Sequence, residues 1–282
     1  AHAYAWHSPN SIYRNMLKRK ENVFLQHGVI AFKCCHQGLR KKSVNASNLF
    51  VVSSDVEKKI ILDNFGYDDS EVIVTGLARW DVLEDKSVGQ EREILLMPTW
   101  RTWLEEVSEE TFKESDYYKH YMSLLNHPKL LDILKKYKIT LNFYIHPKFR
   151  EYISTFKTDG RYIRLIPFGS EPLNELIMRC SMMITDYSSA VWDVFYQGKP
   201  VVFYLFDLER YNQVQGSYID MEKDAFGDVV HTPEKLASVI EEYTVRGFEE
   251  KKQYGAMRSE LIKYIDDKNS ERTYNEVIRR YP

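Results

Sequence analysis

The sequence predicts an α/β fold with parallel β-sheets, and three observations support this prediction. Short apolar runs rich in β-branched and aromatic residues recur along the 282 residues, and helical stretches separate them. Glycine or polar residues follow most of these runs. A polar, charged stretch at 81–93 divides the chain. Strands that alternate with helices favour parallel sheets, because a parallel crossover needs a long connection.

The first part of the chain contains three predicted strands. They cover residues 22–26, 49–54 and 71–76. The helical stretch after the second strand ends at Gly66, a residue type typical of helix C-termini. We therefore predict a partial α/β domain over residues 1–88.

The second part contains five further predicted strands. They cover residues 93–100, 139–147, 162–168, 182–187 and 200–205. Helical spacing runs from about Ser115 to Tyr137, and the pattern is helical from Pro233 onward. We predict a complete Rossmann-like domain over residues 89–250, followed by C-terminal helices over residues 251–282.

The stretch from Ile184 to Tyr204 joins an apolar run to a polar turn. The run ends at Asp186, and Ser188 and Ser189 precede a predicted helix. Ligands of doubly wound sheets bind beyond the carboxyl ends of the strands, and a helix N-terminus attracts anions, so two hydroxyls there suit a diphosphate. Asp193 shares a helix face with Ser189 and could bind a ligand hydroxyl. The alternative is that the serines only cap the helix.

Further polar residues follow other predicted strands. They are His27 and Gly28 after the first, Arg79 after the third, Thr99 and Arg101 after the fourth, and His146 and Lys148 after the fifth. Arginine binds phosphate as a planar fork, and histidine is the usual acid or base near neutral pH. A lone histidine is more often structural, but two histidines and two arginines at strand ends favour a binding site.

Composition excludes several function classes. A net charge of -2 does not indicate nucleic-acid binding, and three cysteines form neither a disulfide framework nor a zinc motif. No D-x-D pair occurs, so we expect neither a metal ion nor a cofactor. The cysteine usage favours a reducing compartment. The chain begins at Ala1, which suggests part of a longer protein.

The ordered motifs resemble those of the CDP-glycerol glycerophosphotransferase family, the teichoic-acid-type and capsule polyol-phosphate transferases. The segments that carry the resemblance are QHG with Lys33, TGLARWD, MPTWR, YIHPK and the stretch from Thr185 to Tyr211. They occur in family order over roughly residues 22 to 235. The resemblance implies a GT-B-like architecture of two Rossmann-like domains with parallel sheets and a cleft between them. Only 26 residues precede His27, so the N-terminal domain is expected to be truncated or rebuilt.

The resemblance also implies an activity and a location. Such enzymes transfer a polyol phosphate from a CDP-activated donor to a hydroxyl of a polymer or lipid-linked acceptor, and CMP is released. We therefore expect a cytoplasmic protein in peripheral contact with the inner face of the bacterial cell membrane. The basic runs at 18–20 and 40–42 could contact anionic lipid or simply be solvated.

The resemblance identifies His27 and His146 as the functional histidines and leaves open which one is the base. The expected substrate-binding residues are Gly28, Lys33, Arg79, Thr99, Arg101, Lys148, Asp186, Ser188, Ser189 and Asp193. One departure is the absence of a Pro-Gly pair before Val229 and Val230. Two alternative functions remain open: a GT-B glycosyltransferase that uses a nucleotide sugar, and a non-catalytic nucleotide-binding fragment of a larger synthase.

Overall fold

A computed structural model describes residues 20–43, 46–89, 91–158 and 161–282. The chain divides into two compact units. The first consists of Ala1–Leu83, Ser217–Ile219 and Gly255–Pro282, and the second of Glu84–Gly216 and Asp220–Tyr254. The three-part division predicted at residues 88 and 250 remains a prediction about domains.

The strands and helices of the described residues follow one another in an α/β pattern. The strands are β1 (Val23–Phe24), β2 (Leu49–Val52), β3 (Val72–Val74), β4 (Glu93–Met97), β5 (Thr140–Tyr144), β6 (Ile163–Ile166), β7 (Met182–Thr185), β8 (Val201–Tyr204) and β9 (Asp228–Val230). The helices are α1 (His36–Leu39), α2 (Asp55–Phe65), α3 (Glu109–Glu114), α4 (Asp116–Leu125), α5 (Pro128–Tyr137), α6 (Leu173–Arg179), α7 (Val191–Tyr196), α8 (Leu208–Val214), α9 (Pro233–Val245), α10 (Lys252–Leu261) and α11 (Asn269–Arg280). Four 3-10 helices cover Asp69–Glu71, Ala78–Val82, Thr102–Leu104 and Pro147–Thr155.

The first unit contains a parallel sheet in the order β1-β2-β3. Strand β2 is apolar throughout and completely buried, as expected for a central parallel strand that is covered on both faces. Helix α2 has Ser54 as its N-cap, and the Ser54 hydroxyl accepts the Glu57 N–H at 3.2 Å; its C-cap is Gly66, with φ +75°. These caps are the ones that Ser and Gly are suited to form.

Helix α11 packs on this sheet through Val277 and is held at its N-terminus by Asp81. The Asp81 carboxylate accepts the backbone N–H groups of Asn269 at 2.9 Å and Ser270 at 2.7 Å. Gly76, with φ +80°, lies so close that a Cβ there would stand 1.8 Å from Asn269 Oδ1. Only glycine fits that position, so the end of β3 and the start of α11 are matched to one another.

The second unit contains a parallel sheet in the order β6-β5-β4-β7-β8-β9. This is the strand order of a Rossmann-type sheet, in which the chain order reverses between β4 and β7. The facing register pairs Met97 with Thr185, so these two strands end at the same level. Ligands of such sheets bind in the crevice beyond that switch point.

The predicted fold class is confirmed: both sheets are parallel, and helices separate most of the strands. All eight predicted strands are present, although several are shorter than predicted, and the first is reduced to Val23–Phe24. Strand β9 was missed because its three residues follow the polar segment 220–224 and carry only two apolar side chains. A three-residue pattern is too short to distinguish from a loop.

Candidate active site

At the switch point, hydrogen bonds join the ends of β4 and β7. Asp186 is completely buried, and its Oδ1 accepts the N–H groups of Thr99 at 2.7 Å and Tyr187 at 2.6 Å. The Thr185 hydroxyl donates to the Met97 carbonyl at 2.6 Å. The loops that follow the two strands are therefore held in one fixed arrangement.

Arg101 lies between these two loops and is 1% exposed. Its Nη1 pairs with Asp186 Oδ2 at 2.9 Å and donates to the Thr99 carbonyl at 2.7 Å. Its Nε and Nη2 form a fork on the two carboxylate oxygens of Asp207, at 2.7 and 3.0 Å. Burial acts to lower the pKa of Arg101, but the Asp186 and Asp207 carboxylates outweigh it and raise that pKa well above its ordinary value.

This geometry gives both Arg101 and Asp186 partners within the protein. The guanidinium fork of Arg101 is directed at the Asp207 carboxylate, and a role for Arg101 toward a phosphate stays a prediction. The Asp186 oxygens accept hydrogen bonds from Arg101 and from backbone N–H groups, and the role of Asp186 toward a ligand also stays a prediction. Both residues act as a buried ionic cross-link, and their removal would leave an unpaired charge in the protein interior.

Aromatic rings surround the ionic cross-link. Tyr187 and Tyr211 stack with ring centroids 3.4 Å apart, and the Arg101 guanidinium carbon lies 5.0 Å from the Tyr187 centroid. Tyr121 donates its hydroxyl to Asp186 Oδ2 at 3.2 Å. Burial raises the pKa of Tyr121 well above its ordinary value, so this phenol stays protonated and keeps donating.

Thr99 stands at the mouth of the loop after β4 and is 7% exposed. Its hydroxyl is buried and has no hydrogen-bond partner within the part of the chain that the structure describes. Buried polar atoms are nearly always paired, by protein or by ordered water. An unpaired hydroxyl at the carboxyl edge of the sheet therefore marks a position where a ligand or a water is expected.

Ser188 and Ser189 lie in the turn between β7 and α7, and both are half-buried. Helix α7 begins after Ala190, and no side chain caps it. The Ser188 hydroxyl instead accepts the Ala190 N–H at 3.3 Å. The alternative that these serines only cap the helix is wrong, because the helix begins at Val191 and no side chain caps it. Asp193 lies in its first turn and is 7% exposed.

His146 follows β5 and stands at the start of the 3-10 helix Pro147–Thr155. Its Nδ1 accepts the Lys148 N–H at 3.2 Å, so the neutral ring carries its proton on Nε2. The Trp100 ring lies 6.0 Å away, and the Lys148 ammonium lies 4.5 Å from the centroid of Trp100 and pairs with Glu105. His146, Lys148 and Trp100 thus form one cluster beyond the ends of β4 and β5.

The remaining predicted residues belong to the first unit. His27 is exposed and lies three residues beyond Phe24, the last residue of β1, and its ring meets the Phe24 ring edge-on at 5.9 Å. Gly28 is buried, and Lys33 and Arg79 are half-buried. The predicted site residues therefore fall into two sets, one at the carboxyl edge of each sheet, and their roles toward a ligand remain predictions.

Sequence reasoning missed three residues that organise these edges: Asp207, Tyr121 and Glu57. Asp207 follows a predicted strand by two residues, so the rule that singled out Thr99 and His146 could have found it. Tyr121 and Glu57 lie inside helices, and nothing in their local pattern distinguishes them from ordinary helical residues.

The described residues also bear on metal binding and on membrane insertion. Across residues 20–43, 46–89, 91–158 and 161–282, no group of three or more His, Cys, Asp or Glu side chains is arranged to hold a metal ion. Over the same ranges, no helix is both long and apolar enough to cross a membrane. Residues 18 and 19 of the first basic run lie outside the described residues, and Lys41 of the second pairs with Glu71.

Comparison with known sequences gives a family match over almost the whole chain. A profile of CDP-glycerol:poly(glycerophosphate) glycerophosphotransferases matches residues 4–279. The minor teichoic acid biosynthesis protein GgaB of Bacillus subtilis (strain 168) is 28% identical over 276 residues, which is 95% of this chain and 30% of GgaB. The teichoic acid ribitol-phosphate polymerase TarK of Staphylococcus aureus is 25% identical over 81% of this chain and 45% of TarK. The chain thus spans less than half the length of these relatives.

Comparison with solved structures supports the fold. The wall teichoic acid polymerase TagF superposes with a TM-score of 0.66 and 16% identity, over 91% of this chain and 67% of that chain. A UDP-N-acetylglucosamine 2-epimerase superposes with a TM-score of 0.51 and 15% identity, over 83% of this chain and 58% of that chain. At these identities the likeness concerns the fold alone, and it confirms the predicted GT-B-like class.

Proposed function

Because this chain belongs to the CDP-glycerol:poly(glycerophosphate) glycerophosphotransferase family, we propose that it transfers a glycerol phosphate or related polyol phosphate from a CDP-activated donor. The acceptor is a hydroxyl of a growing bacterial teichoic acid or capsule polymer, and the released product is CMP. The match over residues 4–279 is the observation that carries the proposal. Relatives named for glycerol phosphate and for ribitol phosphate both occur, so the polyol is proposed only as a class.

The donor nucleotide is proposed to bind in the second unit, at the switch point between β4 and β7. Three features support this location. The crevice lies where Rossmann-type sheets bind nucleotides. Thr99 offers a buried hydroxyl that no protein group satisfies within the described residues. Ser188 and Ser189 add two half-buried hydroxyls just beyond β7. Hydroxyl and backbone N–H groups there can donate hydrogen bonds to diphosphate oxygens.

The transfer needs a positioned nucleophile and charge stabilisation on the moving phosphate. In the proposed step the acceptor oxygen attacks the phosphorus that bears the polyol, a new P–O bond forms, and the bridging P–O bond to CMP breaks. His27 is proposed to take the acceptor proton, since its ring is exposed. His146 is proposed to donate from Nε2 to a phosphate oxygen, since its Nδ1 already accepts the Lys148 N–H.

A donor competition tests the proposal. The protein is mixed with CDP-glycerol, CDP-ribitol or UDP-N-acetylglucosamine and a lipid-linked glycerol-phosphate primer, and nucleotide release is followed by chromatography. We expect CMP from a CDP-polyol and no UDP. Release of UDP alone would favour a nucleotide-sugar glycosyltransferase. Binding of CDP without release from either CDP-polyol would favour a non-catalytic nucleotide-binding role.

The location of the protein follows from the proposed acceptor. A lipid-linked acceptor requires peripheral contact with the inner face of the bacterial membrane, and we propose this as the working location. Flotation with vesicles that contain the lipid-linked primer, against vesicles that lack it, measures the contact. If the protein floats with neither kind of vesicle, the proposed membrane contact is contradicted.

A further inference from the structure

The first unit buries one carboxylate at the carboxyl edge of its sheet. Glu57 lies in the first turn of α2 and is 1% exposed. Its Oε1 accepts the Gln26 side-chain amide at 2.8 Å and the Ile30 N–H at 2.7 Å. Its Oε2 accepts the Ser53 N–H and the Ser53 hydroxyl, both at 2.7 Å. Four hydrogen bonds from three chain segments therefore end on one carboxyl group.

Two of these segments enclose the proposed base. Gln26 immediately precedes His27, and Ile30 follows it by three residues. Gln26 has φ +64°, a conformation that a non-glycine residue adopts only when its surroundings hold it. Gln26 and Ile30 are buried, whereas His27 between them is exposed. The contacts to Glu57 are thus on the two flanks of the histidine, where they fix the turn that presents it.

The third segment connects this turn to the sheet. Ser53 is completely buried and directly follows β2, the central strand. Glu57 accepts hydrogen bonds from its backbone and its hydroxyl, so the carboxyl group bridges the His27 turn to the end of the buried central strand. Burial is costly for a carboxylate and is compensated by hydrogen bonds from several donors, which an apolar side chain could not provide.

We propose that Glu57 is a positioning residue that holds the Gln26–Ile30 turn, and with it His27, against the end of β2. This inference rests on the proposed role of His27 in phosphoryl transfer. Glu57 does not contact substrate in this role. It acts through the backbone of Ile30 and the side chain of Gln26, and its effect on turnover comes from the orientation of the histidine.

Glu57→Gln in the full chain tests the proposal with two readouts. Glutamine keeps the shape but places an amide donor against one pair of incoming donors. We expect amide hydrogen exchange of Ile30 and Ser53 to rise about tenfold or more, since the NH₂ group of glutamine cannot accept the hydrogen bonds that the replaced carboxyl oxygen accepted. We expect kcat for CMP release from CDP-glycerol to fall roughly 10- to 100-fold, with KM for the donor within about twofold.

Glu71→Gln is the matched control. Glu71 lies in the same unit, where its carboxylate pairs with Lys41 and accepts the Asp68 N–H. A change there should leave exchange at Ile30 and kcat unaltered. If both glutamate variants lower kcat equally, the effect is general to the unit and the positioning role is overturned.

The two readouts separate this inference from the proposed function. If the wild-type protein releases no CMP, the proposed function fails. Hydrogen exchange then tests the hydrogen bonds to Glu57 by itself, and unchanged exchange in Glu57→Gln overturns the inference. Faster exchange with unchanged kcat would also overturn the positioning role. Should Glu57→Gln not fold, Ser53→Ala removes one contact to Oε2 and is expected to give the same changes at about threefold size. No change in Ser53→Ala would count against the proposal.

Discussion

Each unit buries a carboxylate at the carboxyl edge of its parallel sheet, but the two are neutralised in different ways. Asp186 in the second unit faces the buried guanidinium of Arg101 at 2.9 Å. Glu57 in the first unit is held by amide, backbone and hydroxyl donors, and Arg79 adds only an electrostatic contribution. A paired charge makes a permanent cross-link, whereas a carboxyl group held by neutral donors can change its protonation near neutral pH.

The two carboxylates also differ in what they hold in place at the carboxyl edges of their sheets. The Arg101 cross-link fixes the base of the crevice where the donor nucleotide is proposed to bind. The hydrogen bonds to Glu57 fix a single turn that carries an exposed histidine. The second unit therefore depends on charge pairing for its site, and the first depends on hydrogen-bond geometry.

The first prediction tests whether a histidine at the carboxyl edge of each sheet takes part in the proposed transfer. His27→Ala and His146→Ala are each expected to reduce CMP release by about 10²–10⁴-fold, the usual cost of losing a general acid or base. Both variants should keep the wild-type unfolding midpoint, since neither ring is fully buried. Steady-state release and urea unfolding measure the two quantities. If one variant turns over at the wild-type rate, that unit supplies no catalytic histidine.

The second prediction concerns the cross-link. Arg101→Met leaves the buried Asp186 and Asp207 carboxylates without their cation and should lower the free energy of unfolding by about 3–5 kcal/mol. Arg164→Met is the control, because Arg164 is 47% exposed and pairs with Glu171 near the surface, where loss is worth under about 1 kcal/mol. Urea unfolding compares them. Equal losses would mean that the buried pair is no stronger than a surface pair.

How much of the fold and of the two sheet edges could be predicted from the sequence depends on how far apart in the chain the contacting residues lie. Thr99, His146 and Asp186 were located correctly at strand ends, because an apolar run that stops at a polar residue is a local signal. The role of Arg101 was not predictable, because its fork partner Asp207 is 106 residues away. The start of α7 was misjudged because Ser189 and Ala190 suit either a turn or a first helical turn. Glu57 looked like an ordinary helix residue, since its burial arises from the His27 turn folding over it.

The third prediction uses the protonation of Glu57. Burial raises its pKa from 4.5 to about 7, against the opposing hydrogen bonds from Ile30 and Ser53 and the charge of Arg79. Between these values the unfolded chain is ionised and the folded protein binds a proton, so this contribution to stability is lost as pH rises from about 4.5 to about 7. The neutral thiol of Cys35 also faces Glu57 and stays protonated over this range, because burial raises its pKa to about 11.

The measurement is a difference between two proteins. The free energy of unfolding of wild type minus that of Glu57→Gln should fall by about 3 kcal/mol over that range, since one pKa unit is worth about 1.4 kcal/mol. Other titrating groups cancel in the difference. A flat difference would show that Glu57 titrates near its ordinary pKa, and the contrast with Asp186 would then lie in partners alone.

The last prediction concerns the donor crevice and has the smallest expected effect. Replacing Ser188 and Ser189 together by alanine should weaken CDP binding by about 1–3 kcal/mol, the scale of lost hydrogen bonds to a charged group. Neither serine contributes to the Arg101 cross-link, and both are half-buried, so the fold should tolerate the change. Titration calorimetry with CDP gives the affinity, and Ser259→Ala on the exposed face of α10 serves as control.

Thr99→Val extends the test, because it removes a hydroxyl that no described protein group satisfies and keeps the side-chain shape. In the apo protein that loss should leave stability unchanged or slightly higher, since an unpaired buried polar atom disappears. With CDP bound it should cost affinity. If the serine pair and Thr99→Val both leave CDP affinity at the wild-type value, the donor does not bind at the switch point between β4 and β7, and the Arg101 cross-link supports only the fold.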